Sequence, residues 1–165
     1  MNYTLRQIAD AYWKNWGVDQ NDDDRQRIYD RARMLRDKGL ICSTNPRSQG
    51  KTMTFTEADC AFAVVALAAS LNGVSWGTIE LLNLQLRKVK SATGQPMFER
   101  NLASIKSGQP IFARIEHIPS PFPQNPAFMG DASVQKAEPA EGATQVLIWP
   151  VTTLAKPVLD TLESD

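Results

Sequence analysis

Residues 22–41 read DDDRQRIYDRARMLRDKGLI, and this stretch governs how the rest of the chain is interpreted. The three aspartates at its start are typical of a helix N-terminus, where side-chain oxygens accept free amides and negative charge suits the helix dipole. Ile28, Ala32 and Leu35 recur at helical spacing, and Gly39 is typical of a helix end. The stretch therefore predicts a helix with one buried apolar stripe and an outer face rich in arginine.

Five arginines and one lysine lie between residues 25 and 38. From the residues alone, two interpretations stay open. An exposed face with interspersed aspartates can form salt bridges with itself. A helix that enters a groove of DNA uses arginine to bind phosphates and guanine edges. On the second interpretation, the side chains that face the major groove are Arg25, Gln26, Arg27, Arg31 and Arg33.

Helices are also predicted on both sides of this stretch. A capping box at Thr4 begins a first helix that runs from Leu5 to about Trp13. Thr56 caps a third helix with a wide apolar face, and Ser75 caps a fourth. The inward residues of the fourth helix are predicted to be Ile79, Leu82 and Leu86.

Between the second and third helices the pattern predicts a β-hairpin. The segments 40–42 and 51–55 are short and strand-like, and the residues between them are polar and turn-rich. Such a hairpin is either an ordinary surface feature or a wing that lays a basic tip along phosphates. On the second interpretation, the residues that contact phosphate are Arg47, Ser48 and Lys51.

The order of these elements resembles the winged helix-turn-helix domain of MerR-type regulators, over residues 3–90. The matching motifs are Gly17-Val18, Gly39-Leu40-Ile41, Phe55-Thr56-Glu57-Ala58-Asp59 and Gly73-Val74-Ser75. The resemblance implies binding of double-stranded DNA as a two-fold dimer on a palindromic site. It also implies that the second helix enters the major groove while the wing follows the backbone. The chain differs from the family in its longer link between the first two helices, and it lacks a long helix after Leu86.

Residues 91–165 are predicted to form a separate small α+β module for dimerisation or effector binding. One proline of ten lies before residue 90, so the composition changes there. The segment 119–142, rich in Pro, Ala, Ser and Gly, predicts a long mobile loop. The other predicted elements are a helix at 97–106, strands at 111–118 and 145–149, and a helix at 154–162 with Pro157 in its first turn.

Two further expectations concern this second part. The continuous apolar run in Gln145–Trp149 predicts a strand that is buried on both faces. Glu116 and His117 are predicted to be a structural surface pair, with a functional site as the alternative.

Composition limits the function classes. The 165 residues hold 18 basic and 18 acidic side chains, so a uniformly basic coat is excluded and any nucleic-acid contact must be local. Residues 1–55 carry ten of the basic and seven of the acidic groups. A single histidine disfavours histidine-based metal or acid–base sites, and Cys42 and Cys60 are predicted to be core thiols of a reducing compartment. We expect no cofactor and no metal.

Together these patterns predict a mainly helical α+β protein with a winged helix-turn-helix domain. Because neither a membrane span nor an export signal is present, we expect a cytoplasmic location. No catalytic motif stands out, so the predicted function is non-enzymatic. It is a sequence-specific, DNA-binding transcriptional regulator that acts as a homodimer. The alternatives are a protein-interaction module on the same fold and a phage-type protein of DNA packaging or excision.

Overall fold

The computed structural model describes residues 1–43, 52–88, 94–118, 127–131 and 141–164, with the backbone alone for residues 88, 118 and 127–131. This part is mainly helical with two small antiparallel sheets, so the α+β class is confirmed at that level. Its helices are α1 (Leu5–Trp16), α2 (Asp22–Asp37), α3 (Glu57–Leu71), α4 (Trp76–Asn83), α5 (Met97–Lys106) and α6 (Val151–Ser164). Its strands are β1 (Asn2–Thr4), β2 (Thr54–Thr56), β3 (Phe112–Ile118), β4 (Ala127–Asp131) and β5 (Gln145–Pro150).

The predicted helix starts are confirmed by their caps. The Thr4 hydroxyl accepts a hydrogen bond from the Gln7 amide (3.2 Å), and the Gln7 side chain accepts one from the Thr4 amide (2.9 Å). Thr56 and Asp59 form the same reciprocal pattern at the start of α3. Each cap satisfies amides that a helix start leaves free. Helix α1 extends about one turn beyond its predicted end.

Helix α3 forms the centre of the fold, because every residue from Ala58 to Ser70 is buried. A helix that is apolar all round must be covered on several sides, and α1, α2, α4, α5 and α6 all pack against it. The rings of Phe62 and Phe98 meet edge-on, with their centroids 5.5 Å apart. Helix α6 also packs on α1, where Asn15 donates a hydrogen bond to the Thr161 hydroxyl (2.9 Å). The last helix therefore shares a core with the first three, and a domain boundary near residue 90 stays a prediction.

The predicted strand at Leu40–Cys42 is wrong. The amides of Leu40 and Ile41 both bind the Leu35 carbonyl, at 2.8 and 3.3 Å, so this backbone completes the end of α2. Gly39 makes the turn at φ +69°, a conformation that favours glycine. Leu40 and Ile41 are buried in the core, and they form no strand that could be the first arm of a hairpin.

The second predicted arm, residues 51–55, forms a strand only from Thr54 onward, and with a different partner. Strand β2 pairs antiparallel with β1, which places Phe55 opposite Tyr3. Both side chains are buried, so β1 pairs with β2 in the place where the predicted hairpin would have put residues 40–42. The tip of the predicted wing lies outside the described residues. That tip includes the three predicted phosphate contacts Arg47, Ser48 and Lys51.

The second sheet has the strand order β4-β3-β5, and β4 corrects the predicted loop over residues 119–142. Residues 127–131 pair antiparallel with β3, from Ala127 opposite Ile118 to Asp131 opposite Arg114. The sequence AFM inside this Pro- and Ala-rich segment supplies the short apolar run that β3 can pair with. The remainder of the predicted loop, up to residue 140, lies outside the described residues.

Strand β5 confirms the predicted strand, but its expected burial on both faces is wrong. Trp149 is buried against the helices, whereas Ile148 is 52% exposed. Ile148 is exposed because β5 lies at the edge of its sheet and only the face with Leu147 and Trp149 packs on the core.

Helix α6 begins at Val151, one turn earlier than predicted. The buried Thr152 hydroxyl accepts a hydrogen bond from the Ile111 amide (3.0 Å), which fixes this first turn against the start of β3. Pro157 consequently lies in the second turn and not in the first. None of the helices in the described ranges is long and apolar enough to cross a membrane.

Candidate nucleic-acid interface

Helix α2 buries one side and presents three rows of side chains to its surroundings. Its buried residues are Asp24, Ile28, Ala32 and Leu35, which face α1 and α3. By helical spacing, an outer row lies opposite this stripe, and one row flanks it on each side. The outer row consists of Gln26, Asp30, Arg33 and Asp37. We call the row Arg25, Tyr29 and Arg36 the α1-facing flank, and the row Arg27, Arg31, Met34 and Lys38 the α4-facing flank.

The α1-facing flank is held by a carboxylate. Arg25 donates two hydrogen bonds to Asp10 on α1, from Nε and Nη2, both at 2.8 Å. The Arg6 guanidinium lies 3.3 Å from the same carboxylate, and the Arg25 guanidinium lies 5.5 Å from the centre of the Trp13 ring. The hydrogen bond from Arg25 is the main cause that lowers the pKa of Asp10, and Asp10 in turn raises the pKa of Arg25. This geometry fixes α1 against α2.

A cavity of about 460 Å³ lies at the other end of this flank, between α1, α2 and β2. Its walls include Arg6, Tyr29 and Arg36. The Arg6 guanidinium lies 4.5 Å from the centre of the Tyr29 ring, and Arg36 donates to Asp37 at 2.6 and 2.9 Å. The two arginines of the cavity are thus both close to carboxylates, which lowers their attraction for a further anion.

The α4-facing flank is held by an aromatic ring. The Arg31 guanidinium and the Lys38 ammonium each lie 5.3 Å from the centre of the Trp76 ring, at the first residue of α4. Among the described side chains, neither cation is within 4.0 Å of a carboxylate oxygen. A cation–π contact orients a cation without neutralising it. The α4-facing flank therefore keeps a net positive charge.

Arg27 pairs with a carboxylate and yet remains exposed. Its Nη2 lies 2.5 Å from Asp24, whose side chain is buried and also accepts the Val18 amide (3.1 Å). The Arg27 side chain is nevertheless 63% exposed. It lines a shallow groove of about 620 Å³ whose walls include Arg31 and Met34 and also the carboxylates of Asp23 and Asp30. Arg27 thus stabilises the turn between α1 and α2 and still presents guanidinium donors to solvent.

The outer row carries charges of both signs. Gln26 donates to Asp30 (3.0 Å), and Arg33 lies 3.8 Å from Asp30, with both side chains about half exposed. Asp22 and Asp23 are exposed at the start of α2, where they face the positive end of the helix dipole. The outer row is consequently mixed in charge, unlike the α4-facing flank.

The structure separates the residues that the sequence grouped as DNA contacts. Arg27 and Arg31 lie on one flank, Gln26 and Arg33 on the outer row, and Arg25 on the opposite flank. Two residues that complete the α4-facing flank, Lys38 and Trp76, were not among the predicted DNA contacts. Lys38 follows Arg31 by seven residues, two helical turns, and that spacing could have indicated it. Trp76 lies 45 residues away from Arg31, so only the packing of α4 beside α2 could place it there.

One ion pair away from α2 is internal. Arg87 is buried in an ion pair with Asp59 and lies 3.7 Å from Glu99. Burial is the main cause that lowers the pKa of Arg87. Such a pair links the π-helical turn after α4, Leu84–Lys88, to the capped start of α3.

The predicted surface pair of Glu116 and His117 is wrong. Glu116 is buried beside Arg114, with which it forms an ion pair, and His117 approaches the Thr144 hydroxyl at 3.2 Å. Neighbouring residues of a strand point to opposite faces, so these two side chains do not share a surface.

The two cysteines are free thiols. Cys60 is fully buried, which raises its pKa and fits the predicted core thiol, while Cys42 is partly exposed. Within the described residues, no group of three or more His, Cys, Asp or Glu side chains is arranged to hold a metal ion.

No protein-family model matches this chain, and no curated protein matches it with significance.

Proposed function

We propose that this chain binds double-stranded DNA through α2 and acts, without enzymatic activity, as a sequence-specific transcriptional regulator. In this proposal α1 and α2 form a helix-turn-helix, and the segment between α2 and β2 supplies further phosphate contacts through Arg47, Ser48 and Lys51. The observation that carries it is the α4-facing flank, where Arg31 and Lys38 share the Trp76 ring and have no carboxylate partner in the described part. The regulator works as a cytoplasmic homodimer, and free cysteines fit that reducing compartment.

Uncompensated cations on a helix surface are the groups that bind phosphate. A guanidinium presents donors in a planar fork that matches phosphate and guanine edges, and an ammonium binds phosphate as a point charge. Arg31 is half-buried, so its position is fixed before DNA arrives, which reduces the entropy lost on binding. Lys38, exposed near the end of α2, extends the same positive strip towards the predicted wing.

The contact set differs from the one expected from the sequence. We leave Arg25 out, because two hydrogen bonds to Asp10 use its fork and fix α1 to α2. Arg33 stays in, because an exposed ion pair at 3.8 Å contributes little and can be exchanged for a phosphate contact. Base contacts are assigned to Arg27 and to the amide of Gln26.

A second function is favoured by the outer row of α2. There, Asp30 and Asp37 alternate with Gln26 and Arg33, and DNA would repel the two carboxylates. A protein partner with its own mixed charges would instead pair with them. On this alternative the chain uses the same face as a protein-interaction module.

Duplex titrations with a matched pair of variants distinguish these functions. The proposal expects wild type to bind labelled random duplex at low salt in fluorescence anisotropy, with log K falling linearly as log salt rises. Arg31→Ala is expected to weaken binding about tenfold and to reduce the magnitude of the salt slope by about one. Arg100→Ala removes the same charge from an exposed position on α5 and is expected to leave binding unchanged.

Selection of bound oligonucleotides from a random pool then tests base recognition, and a palindromic motif is the expected result. Absence of duplex binding by wild type at low salt would overturn the proposal in favour of a protein partner. Equal losses in the Arg31 and Arg100 variants would remove the α4-facing flank from the interface.

A further inference from the structure

Strand β5 carries an apolar run that the described part of the chain covers mainly on one face. Leu147 and Trp149 pack against the helical core. Val146 and Ile148 alternate with them and therefore point to the opposite face, where Ile148 is 52% exposed. A strand that is apolar on both faces is typical of one that is covered on both. The sequence of β5 thus fits an environment that the described residues of one chain do not provide.

The same strand is an open edge. In the described part of the chain β5 pairs with β3 alone, so every second residue directs its amide and carbonyl groups outward. Natural edge strands usually carry lysine or another charge that prevents pairing with a further strand. The six residues Gln145–Pro150 carry no charge, and their exposed members include Gln145 and Ile148. Pro150 has no amide and ends the edge, whereas the five residues before it carry no group that would oppose strand addition.

We infer that a second copy of this chain covers the edge, with its own β5 antiparallel to the first around a two-fold axis. The contact is isologous, since both copies contribute the same patch. Ile148 lies beside the centre of the six-residue strand and so beside the axis. Val146 and Ile148 of the two copies form one apolar strip on the same face of a continuous sheet.

A second copy fits this edge because of the charges that border it. On β3, Arg114 lies opposite Ile148 and Glu116 lies opposite Val146, on the same face of the sheet. These two buried groups form an ion pair with each other, so this border carries one charge of each sign beside β5. Antiparallel pairing of an uncharged strand with itself brings no like charges together.

This inference locates the homodimer of the proposed function and rests on that homodimer, but it does not require DNA binding. The surface area that a single strand pair buries is small compared with that of stable interfaces, which bury roughly 1,200 Å² or more. We therefore expect a dimer that dissociates on dilution, which makes its dissociation constant measurable.

Sedimentation of the free full-length chain tests the inference without DNA. Wild type is expected to shift with concentration from 18.3 kDa to twice that mass. Ile148→Lys places a charge beside its own copy at the axis and is expected to weaken the dimer at least about tenfold. Leu84→Lys is the matched control: it places the same charge on an aliphatic side chain that is 45% exposed, on the π-helical turn that contacts β4. The control is expected to dimerise like wild type.

Amide hydrogen exchange of wild type gives a second measurement that does not depend on how well the variant folds. Outward amides of β5 are expected to become more protected as concentration rises, while amides of α3 stay constant. A wild-type chain that remains monomeric would overturn both the homodimer and this interface, and would leave DNA binding to be judged by titration. A dimer that Ile148→Lys leaves unchanged, or β5 exchange independent of concentration, would overturn the interface alone.

Discussion

The two flanks of α2 contain the same kind of side chain and differ in what lies beside them. On the α1-facing flank, Arg25 meets the carboxylate of Asp10 at 2.8 Å with both ends of its fork. On the α4-facing flank, Arg31 meets the ring of Trp76 at 5.3 Å. The carboxylate neutralises its arginine, whereas the ring orients a cation that keeps its charge.

The comparison teaches that arginine content alone does not identify a DNA-binding face. Arg25 and Arg31 are separated by six residues on one helix, and both are half-buried. Their expected roles diverge because α1 brings an acid to one flank and α4 brings an indole to the other. The useful quantity is the charge that each side chain keeps after pairing, and within the described residues Arg31 and Lys38 on the α4-facing flank keep theirs.

Arg27 gives the largest expected effect, since it is the exposed arginine that is assigned to base contact. Arg27→Ala is expected to cost about 1–3 kcal/mol of binding free energy at a selected site and much less on random duplex. Anisotropy titrations with both duplexes measure the difference, and Arg27→Lys serves as a control that keeps the charge but loses the planar fork. Equal losses on the two duplexes would assign Arg27 to phosphate contact instead of base recognition.

Trp76 tests whether the ring positions the cations. Trp76→Ala is expected to weaken binding to every duplex about two- to fivefold, because Arg31 and Lys38 lose the contact that orients them. Trp76→Phe, which keeps a ring, is expected to restore most of the affinity. Because Trp76 also packs against the core, the melting temperatures of both variants show whether the fold is still stable. If the two variants bound DNA equally weakly, positioning by an aromatic ring would be the wrong explanation.

Asp10 gives the smallest effect and tests the other flank. Asp10→Asn is expected to lower the free energy of unfolding by about 0.5–1 kcal/mol, as solvent screens this partly exposed pair. DNA affinity is expected to stay unchanged. Urea titrations of both proteins measure the difference in stability.

The pH dependence follows from the lowered pKa of Asp10. The stabilisation from its carboxylate is complete above the ordinary value of 3.8 and is lost as the pH falls through the lower folded-state value. The stability gap between wild type and Asp10→Asn is therefore expected near neutral pH and should close in acid. A gap that stayed constant into strong acid would contradict the role given to Arg25 and Asp10.

Local signals in the sequence predicted the helices well. The reciprocal caps at Thr4 and Thr56 and the buried stripe Ile28, Ala32 and Leu35 all follow from spacing within one element. The pairing of strands was harder to predict from the sequence. The residues of β2 were expected to pair with residues 40–42, yet they pair with β1, some fifty residues away in the chain.

The candidate interface was only partly predictable for the same reason. Helical spacing gave the rows of α2, but an ion pair such as Arg25–Asp10 depends on how α1 crosses α2. The role of Trp76 depends on α4, which follows two intervening elements. Side-chain pairs between elements require tertiary packing, and no local pattern encodes it.

The sequence by itself determined where the capped helices α1 to α4 begin, which of their faces are apolar, and that α2 is rich in arginine, because these properties depend on neighbours within a few residues. The tertiary structure alone decided which arginines are neutralised, that β2 pairs with β1, and that β5 is an edge strand among the described residues. The physical reason is that charge pairing and strand pairing act over a few ångströms of space. The fold brings residues that are far apart in the chain within that distance.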